Sequence, residues 1–285
     1  MCYVACASAS TGTAHLAEGF SNMSKISVCI LTKNDADTVT GAVESVRWAD
    51  EIVVVDNASS DRTVEVARAL GVRVVQISTP SFGEMRRSAA EACSNEWVFS
   101  LDADERCTPA LREEIKALLA AEPAHDAFQV PRRNYMMGRW IKGSGWYPNY
   151  RGLQLFRKDR LRYLPDIVHE GYELTGDRGV GKLQNDVWHF SYQNLEELVH
   201  KMNVFSSLGA QRMAGQRVSM GSALGHAVWA FLKHYIFKAG FRDGWAGFVI
   251  ALGNFEGTFY RYAKAHESMK GWDVPANQPV SREPP

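Results

Sequence analysis

Two aspartates, Asp102 and Asp104, stand two positions apart where the apolar run over residues 97–101 ends. A strand that stops at Asp102 can turn and bring both carboxylates toward one point. Hard cations such as Mg2+ and Mn2+ prefer oxygen ligands, and Mg2+ is commonly held by one or two carboxylates together with substrate phosphates. The pair could therefore hold one divalent cation against a diphosphate. Alone, Asp-x-Asp is also a common solvated turn, so its meaning depends on the elements that position it.

Those elements alternate. Residues 26–31, 51–55, 72–77 and 97–101 read as strands, the second a nearly pure β-branched run ending at Asp56. Residues 35–47, with Ala36, Val39, Ala42, Val43 and Val46 at helical spacing, read as a helix, as do 61–70, closed by Gly71, and 84–93. Thr108 as N-cap and Pro109 at the first helical position open a further helix over 110–121. The alternation predicts an α/β, Rossmann-like fold: a mostly parallel sheet flanked by helices. Ligands bind such sheets at the carboxyl ends of the strands. Thr32, Asn34, Asp56, Asn57, Asp102 and Asp104 all fall there.

Around them stand further candidates. Asp56 is placed to accept a hydrogen bond from a base or ribose, with Ser60 or Asp61 capping the helix that follows. Asn34 or Asp35 is expected to cap the first helix. Arg86 and Arg87 could pair with a diphosphate or with Asp102, since arginine suits bidentate contacts.

From residue 131 to 190 the chain turns rich in Gly, Trp, Tyr and Arg, with strand candidates at 153–156 and 187–190. It reads as a loop-rich, antiparallel extension lying over the sheet. Arg132, Arg133, Arg139, Lys142 and Arg151 interleave with Tyr135, Trp140, Trp146, Tyr147 and Tyr150. Aromatic faces stack on sugars and arginines hold phosphates, so this segment suits a phosphorylated glycolipid. The same composition could bind nucleic acid. Thirty-two basic and thirty-two acidic residues cancel, however, and the strand-end carboxylates would repel a polyanion. No nucleic-acid partner is expected.

Hydrophobic content of 46% with 22% charged residues describes a globular chain. Five cysteines without paired spacing, Cys29 and Cys93 in apolar segments, point to buried thiols in a reducing compartment. The expected organisation is a disordered extension over 1–25, a catalytic domain over 26–190 divided at 130/131, a helical region over 191–267 and a disordered tail over 268–285. Residues 1–25 lack the basic start of a secretory signal, and Met23 is an alternative first residue. No apolar run is long enough to span a bilayer. Helices are expected over 194–213, 223–239 and 244–264. The last two mix Trp and Tyr with Lys and Arg, which suits burial for part of each and contact with an anionic membrane surface for the rest.

Thr32 and Asn34, the run Val55-Asp56-Asn57-Ala58-Ser59-Ser60-Asp61-Arg62-Thr63, Arg86 and Leu101-Asp102-Ala103-Asp104-Glu105 occur in the order seen in inverting family-2 glycosyltransferases of the GT-A fold. Arg132-Arg133-Asn134-Tyr135, Gly145-Trp146-Tyr147-Pro148, Leu155-Phe156-Arg157-Lys158 and Val168-His169-Glu170 resemble the subgroup that adds sugars, often glucose, to the inner core of bacterial lipopolysaccharide. The resemblance spans residues 26–267. Asn149 departs from it, standing where an Asp is expected after Gly-Trp-x-Pro.

The resemblance implies roles. Thr32 and Asp56 would contact the uridine, with Asn34 and Arg86 also on the donor. Asp102 would lie near ribose and metal, and Asp104 would ligate Mg2+ or Mn2+. Arg132, Arg133, Trp146 and Tyr147 would face the acceptor. An inverting transfer needs one base to deprotonate the attacking hydroxyl. Glu170 is the first choice, with His169 beside it; neighbours on an extended segment point to opposite faces, so one of the two enters the site. His189 could complete the metal shell or pack as a buried core histidine. The implied enzyme moves a sugar from a UDP-sugar to a glycolipid at the inner face of the cytoplasmic membrane. Two rivals are a catalytically silent GT-A-fold membrane scaffold and a sugar nucleotidyltransferase. The second lacks the Gly-rich loop expected after the first strand, since Leu31-Thr32-Lys33-Asn34-Asp35 contains no glycine.

Overall fold

A computed structural model describes residues 24–150, 152–164 and 171–269. Arg151, His169, Glu170 and most of the two ends expected to be disordered lie outside the described residues; Ser268 and Met269, expected in the tail, belong to the last turn of a helix.

The first half follows the expected alternation. Strand β1 (Ile26–Thr32) leads to helix α1 (Val39–Ser45), β2 (Glu51–Asn57) to α2 (Thr63–Ala69), β3 (Arg73–Ile77) to α3 (Phe82–Ala92), and β4 (Trp97–Asp102) with the short β5 (Glu105–Cys107) to α4 (Pro109–Ala120). There follow β6 (Ala127–Gln129), β7 (Arg132–Met136), β8 (Arg139–Trp140), β9 (Leu153–Arg157), β10 (Leu161–Tyr163), β11 (Tyr172–Leu174), β12 (Val180–Lys182) and β13 (Val187–Tyr192). Helices α5 (Leu195–Gln211), α6 (Met220–Leu232) and α7 (Gly244–Met269) close the chain.

Among the described residues the central sheet runs β12-β6-β9-β4-β1-β2-β3. Strands β4, β1, β2 and β3 are mutually parallel, and β9 enters antiparallel between β4 and β6. All of β1 is buried. Its alternate residues serve two cores: Val28 and Ile30 pack with Phe99 and Leu111 on one face, Cys29 and Leu31 with Met85 and Ala89 on the other. Burial of each large apolar side chain contributes about 1.5–3 kcal/mol, which is why a strand covered on both faces reads as an unbroken apolar run. Cys29 and Cys93 are buried free thiols, as expected.

Some expectations need correction. The first helix begins at Val39, not Asp35, because the amides of Thr38 and Val39 first close a turn on the Asp35 carbonyl. Neither Asn34 nor Asp35 caps it. The Asp35 carboxylate accepts instead from the Lys33 amide (2.8 Å), and Asn34, at φ 60°, accepts from the Ser60 amide (2.8 Å). The extension from 131 does not simply lie over the sheet: β9 is one of its strands, since Leu153, Leu155 and Phe156 have apolar surface to bury on both faces. The rest builds a second sheet, β5-β13-β7-β8, in which β13 pairs parallel with β7. Helix α6 stops at Leu232 in a π-helical turn over Lys233–Phe237 and a 3-10 turn over Gly240–Asp243, an elbow that hands the chain to α7. Thr108 caps α4 as expected, accepting from the Leu111 amide at 3.2 Å.

Candidate active site

Parallel pairing sets Thr32 level with Asp56 and Leu31 level with Asp102. The ends of β1, β2 and β4 therefore frame one cleft of about 380 Å3, lined by Thr32, Asp35, Asn57, Arg86, Asp102 and Asp104 among others. Five of the residues expected from the sequence, Thr32, Asn57, Arg86, Asp102 and Asp104, meet here.

Asp102 is bracketed by two guanidiniums. Arg86 donates to its Oδ1 at 3.2 Å and Arg132 to its Oδ2 at 3.3 Å. Burial alone would raise this carboxyl, but Arg86 and Arg132 outweigh it and hold Asp102 below the usual carboxylate range. Behind it lies Glu105, wholly buried, which accepts from the Asp102 amide (3.0 Å) and the Gln154 side-chain amide (2.9 Å) and faces Arg132 Nε at 2.5 Å. Burial pushes Glu105 up to about 7 against the pull of Arg132, with Asp102 pushing the same way as burial.

Asp104 sits beyond this cluster. Its backbone carbonyl accepts from the Phe190 amide (2.9 Å), tying the turn to β13, and His189 Nε2 lies 3.3 Å from its Oδ2. The other imidazole nitrogen, Nδ1, is 2.6 Å from Asn134 Oδ1. Asn134 spends its amide nitrogen on the Trp146 carbonyl (2.7 Å), so its oxygen is the acceptor and Nδ1 carries the proton. In the neutral ring Nε2 would then present a lone pair toward the Asp104 carboxylate. Two acceptors facing each other suit a proton or a cation between them; the carboxylate oxygen fits Mg2+ or Mn2+, while an imidazole nitrogen favours a transition metal such as Mn2+ over Mg2+. Among the described residues no group of three or more His, Cys, Asp or Glu stands ready as a ligand set. The remaining positions on a cation would fall to diphosphate oxygens.

The second strand end is occupied by its own turn. Asp56, fully buried, accepts from Thr32 Oγ1 (3.3 Å), from the Ser59 amide (3.1 Å) and from the Ser59 hydroxyl. Asp61 accepts from the amide of Thr63, the first residue of α2, at 3.0 Å. Arg87 lies near Glu91 (3.8 Å), apart from the cleft.

On β7, successive side chains point to opposite faces, which separates the two expected acceptor arginines. Arg132 joins the carboxylate cluster. Arg133 pairs with Asp186 (Nε to Oδ2 2.8 Å) and lies over the Trp140 ring at 4.2 Å. Tyr147 donates to Asp186 Oδ1 (3.0 Å) and meets Trp140 edge-on. Trp146 packs on Tyr192 and walls a cavity of about 250 Å3 between α5 and α7. Asn149, the departure from the expected pattern, offers its carbonyl to the Arg132 amide (3.2 Å).

A cleft of this kind at parallel strand ends is shared by many nucleotide-binding folds, and comparison with known sequences decides among them. The sequence profile of Glycosyl transferase family 2 matches residues 27–172. The chain belongs to this family. A glycosyltransferase of Rickettsia typhi, described as uncharacterized, is 30% identical over 90% of the chain and 91% of its own length. The lipopolysaccharide core biosynthesis glycosyltransferase LpsC of Rhizobium meliloti is 29% identical over 85% and 92%. Among solved structures, glucosyl-3-phosphoglycerate synthase of Mycobacterium tuberculosis, in complex with Mn2+, UDP and glucosyl-3-phosphoglycerate, overlaps 64% of the chain and 78% of its own at 18% identity and a TM-score of 0.46. The protein is a glycosyltransferase.

Two residues of the glycosyltransferase site, Glu105 and Asp35, are given no role in it by the sequence. Glu105 ends the Leu-Asp-Ala-Asp-Glu motif and is given no role of its own. Asp35, expected as a cap, lines the cleft, and burial raises it to about 6, with Asp104, Asp102 and Asp61 adding negative charge. Asn57 bonds the Thr79 carbonyl and amide (both 2.9 Å), locking β2 to the loop before α3. Asn57, placed at a strand end by the sequence, lines the cleft as expected. Nothing local marked Glu105, because its partners Arg132 and Gln154 arrive from other strands.

Proposed function

We propose that this glycosyltransferase is a metal-dependent, inverting enzyme that moves a sugar, glucose by preference, from a UDP-sugar to a lipopolysaccharide-core or related glycolipid at the inner face of the cytoplasmic membrane. The observation that carries the proposal is the approach of His189 to Asp104 at the mouth of the strand-end cleft. The likeness to LpsC supports the acceptor class.

In this reading Thr32 and Asp56 meet the uridine, Asp56 by exchanging its Ser59 partner for a base N–H, while Asn34 holds the turn from below. Asp104 and His189, with Asp102 nearby, hold Mg2+ or Mn2+. When bound, the cation supplies charge neutralisation on the departing diphosphate. Arg86 and Arg132 keep Asp102 ionised and oriented, and their positive charge adds to the field that favours the diphosphate product. Glu170, or His169 beside it, takes the proton of the acceptor hydroxyl as that oxygen attacks the anomeric carbon from the face opposite the leaving group. Glycosidases flank the bond with two carboxyl groups. Here the leaving group is a diphosphate that needs no proton, so one base suffices. Arg133, Trp146 and Tyr147 form the acceptor wall, with Asp186 fixing the first and last.

The test is turnover of a UDP-sugar panel with defined core glycolipids, with and without chelator. Asp104→Ala is expected to abolish transfer and metal-dependent UDP binding. Full activity in that variant would overturn the metal mechanism, and metal-dependent UDP binding without transfer to any acceptor would favour the silent scaffold. Release of pyrophosphate from a nucleoside triphosphate and a sugar phosphate would favour a nucleotidyltransferase.

A further inference from the structure

The elbow between α6 and α7 carries an unusual surface. From Leu198 to Phe255 the sequence has a single acidic residue, Asp243, against Lys201, Arg212, Arg217, Lys233, Lys238 and Arg242. Asp243 does not reach solvent. It is buried, with Oδ1 accepting from the Lys142 amide (3.1 Å) and Oδ2 from the Gly143 amide (2.7 Å). The exposed charge of the elbow, at Lys233, Lys238 and Arg242, is therefore wholly positive.

The same elbow exposes large apolar side chains. Trp229, Phe237, Phe241 and Trp245 are each more than half exposed, Phe237 at 70%. Trp229 touches Phe237 (5.5 Å between ring centres), and a few residues away Tyr235 bridges Phe241 and Phe248. Beside it, Val228, Phe231, Leu252 and Phe255 line a wholly apolar cleft of about 250 Å3 between the two helices. Patches of this size on a soluble surface mark an interaction site. Among the described residues no helix is long and apolar enough to cross a membrane.

Charge decides the occupant. A second copy docked through a two-fold axis would set the elbow against itself, bringing Lys233, Lys238 and Arg242 onto their own copies, since the elbow's own acid, Asp243, is buried. A bilayer with anionic headgroups answers both features at once, since acyl chains take the aromatics and phosphates take the lysines and arginine. The cations also continue into the acceptor wall. A methyl group placed on Gly145 would collide with Lys238, and one on Gly244 would touch the Arg139 guanidinium.

We propose that the α6–α7 elbow is a membrane-docking wedge: Trp229, Phe237, Phe241 and Trp245 enter the interface of an anionic bilayer while Lys233, Lys238 and Arg242 sit at its phosphates. Asp243, bonded to Lys142 and Gly143, and His234, whose Nδ1 lies 2.8 Å from the Ser144 carbonyl, latch the acceptor-side loop to the wedge. The docked wedge thus holds that loop at the membrane surface. The proposal rests on the glycolipid reading for the purpose of docking, not for its chemistry.

The experiment is flotation of the full chain with vesicles of phosphatidylcholine alone or with roughly one-third phosphatidylglycerol. Binding is expected to the anionic vesicles only and to weaken in high salt. Phe237→Ser with Trp245→Ser, and separately Lys238→Ser with Arg242→Ser, should each lower partitioning at least ~10-fold. Metal-dependent UDP binding in the absence of lipid should stay unchanged in both, which separates failure of this proposal from failure of the donor reading. Wild-type protein that ignores anionic vesicles, or variants that bind as well as wild type, would overturn it. So would a concentration-dependent dimer lost in Phe237→Ser, which would assign the patch to a second copy. Should the variants misfold, quenching of wild-type tryptophan emission by brominated acyl chains reads the same insertion, and absence of quenching would overturn it.

Discussion

His189 Nε2 lies 3.3 Å from Asp104 Oδ2, and Asn134 holds the far side of the imidazole at 2.6 Å. A side chain from β13 is thereby aimed at the turn after β4 by a residue of β7. The three elements meet because β13 pairs with β5 on one side and β7 on the other.

This relay makes Asn134 a positioning residue. Asn134→Ala should leave the fold intact but loosen the imidazole, weakening metal affinity by ~10–100-fold, the usual loss for a ligand's supporting partner. His189→Ala should weaken it at least as much. Isothermal titration with Mn2+ and UDP measures both. Unchanged affinity in His189→Ala would leave Asp104 without its proposed partner.

Glu170→Gln is expected to retain UDP binding and lose most turnover, on the order of 10^2–10^4-fold, the range of general base catalysis. His169→Gln provides the comparison. If only the histidine change costs turnover, the base is His169.

Glu105 is buried against Arg132, Gln154 and the Asp102 amide. Removing one partner of such a buried pair typically costs about 3–5 kcal/mol. Glu105→Ala should therefore show a large drop in urea midpoint, whereas Glu105→Gln, which keeps the shape and one acceptor, should lose less. Equal losses would argue that packing, not charge, decides at this position.

Burial holds His234 below the usual histidine range, opposed by its bond to the Ser144 carbonyl and helped by Lys238 and Lys233. A base depressed in the folded state contributes stability that is present above the unfolded value, about 6.5, and lost as pH falls through the folded value. Wild type should therefore lose stability relative to His234→Gln on acidification below about pH 6.5. Thermal melts of both proteins across that window test it. A constant difference would remove His234 titration from the latch.

Much of this protein was legible one segment at a time. The parallel core was plain from apolar runs such as residues 26–31 and 51–55, because strands covered on both faces need apolar side chains at every position. Thr32, Asp102 and Asp104 could be placed at strand ends because a strand's end is a local property, and Thr108-Pro109 declared a helix start for the same reason. The order of these segments was enough to indicate family 2.

What lay beyond reach depended on pairing between distant segments. Whether Arg132 would face an acceptor or brace Asp102 depended on which face of β7 met the carboxylates, and a one-residue change of register would exchange it with Arg133. Glu105 is buried because Gln154 and Arg132 arrive from other strands to close over it. Asp56 stands at a strand end, yet only the fold turns Ser59 back onto it, and His189 faces Asp104 because β13 docks beside β5. Local pattern determines which side chains stand at the end of a strand. Only tertiary structure decides what stands opposite them, because burial and charge pairing are properties of the neighbours and not of the residue.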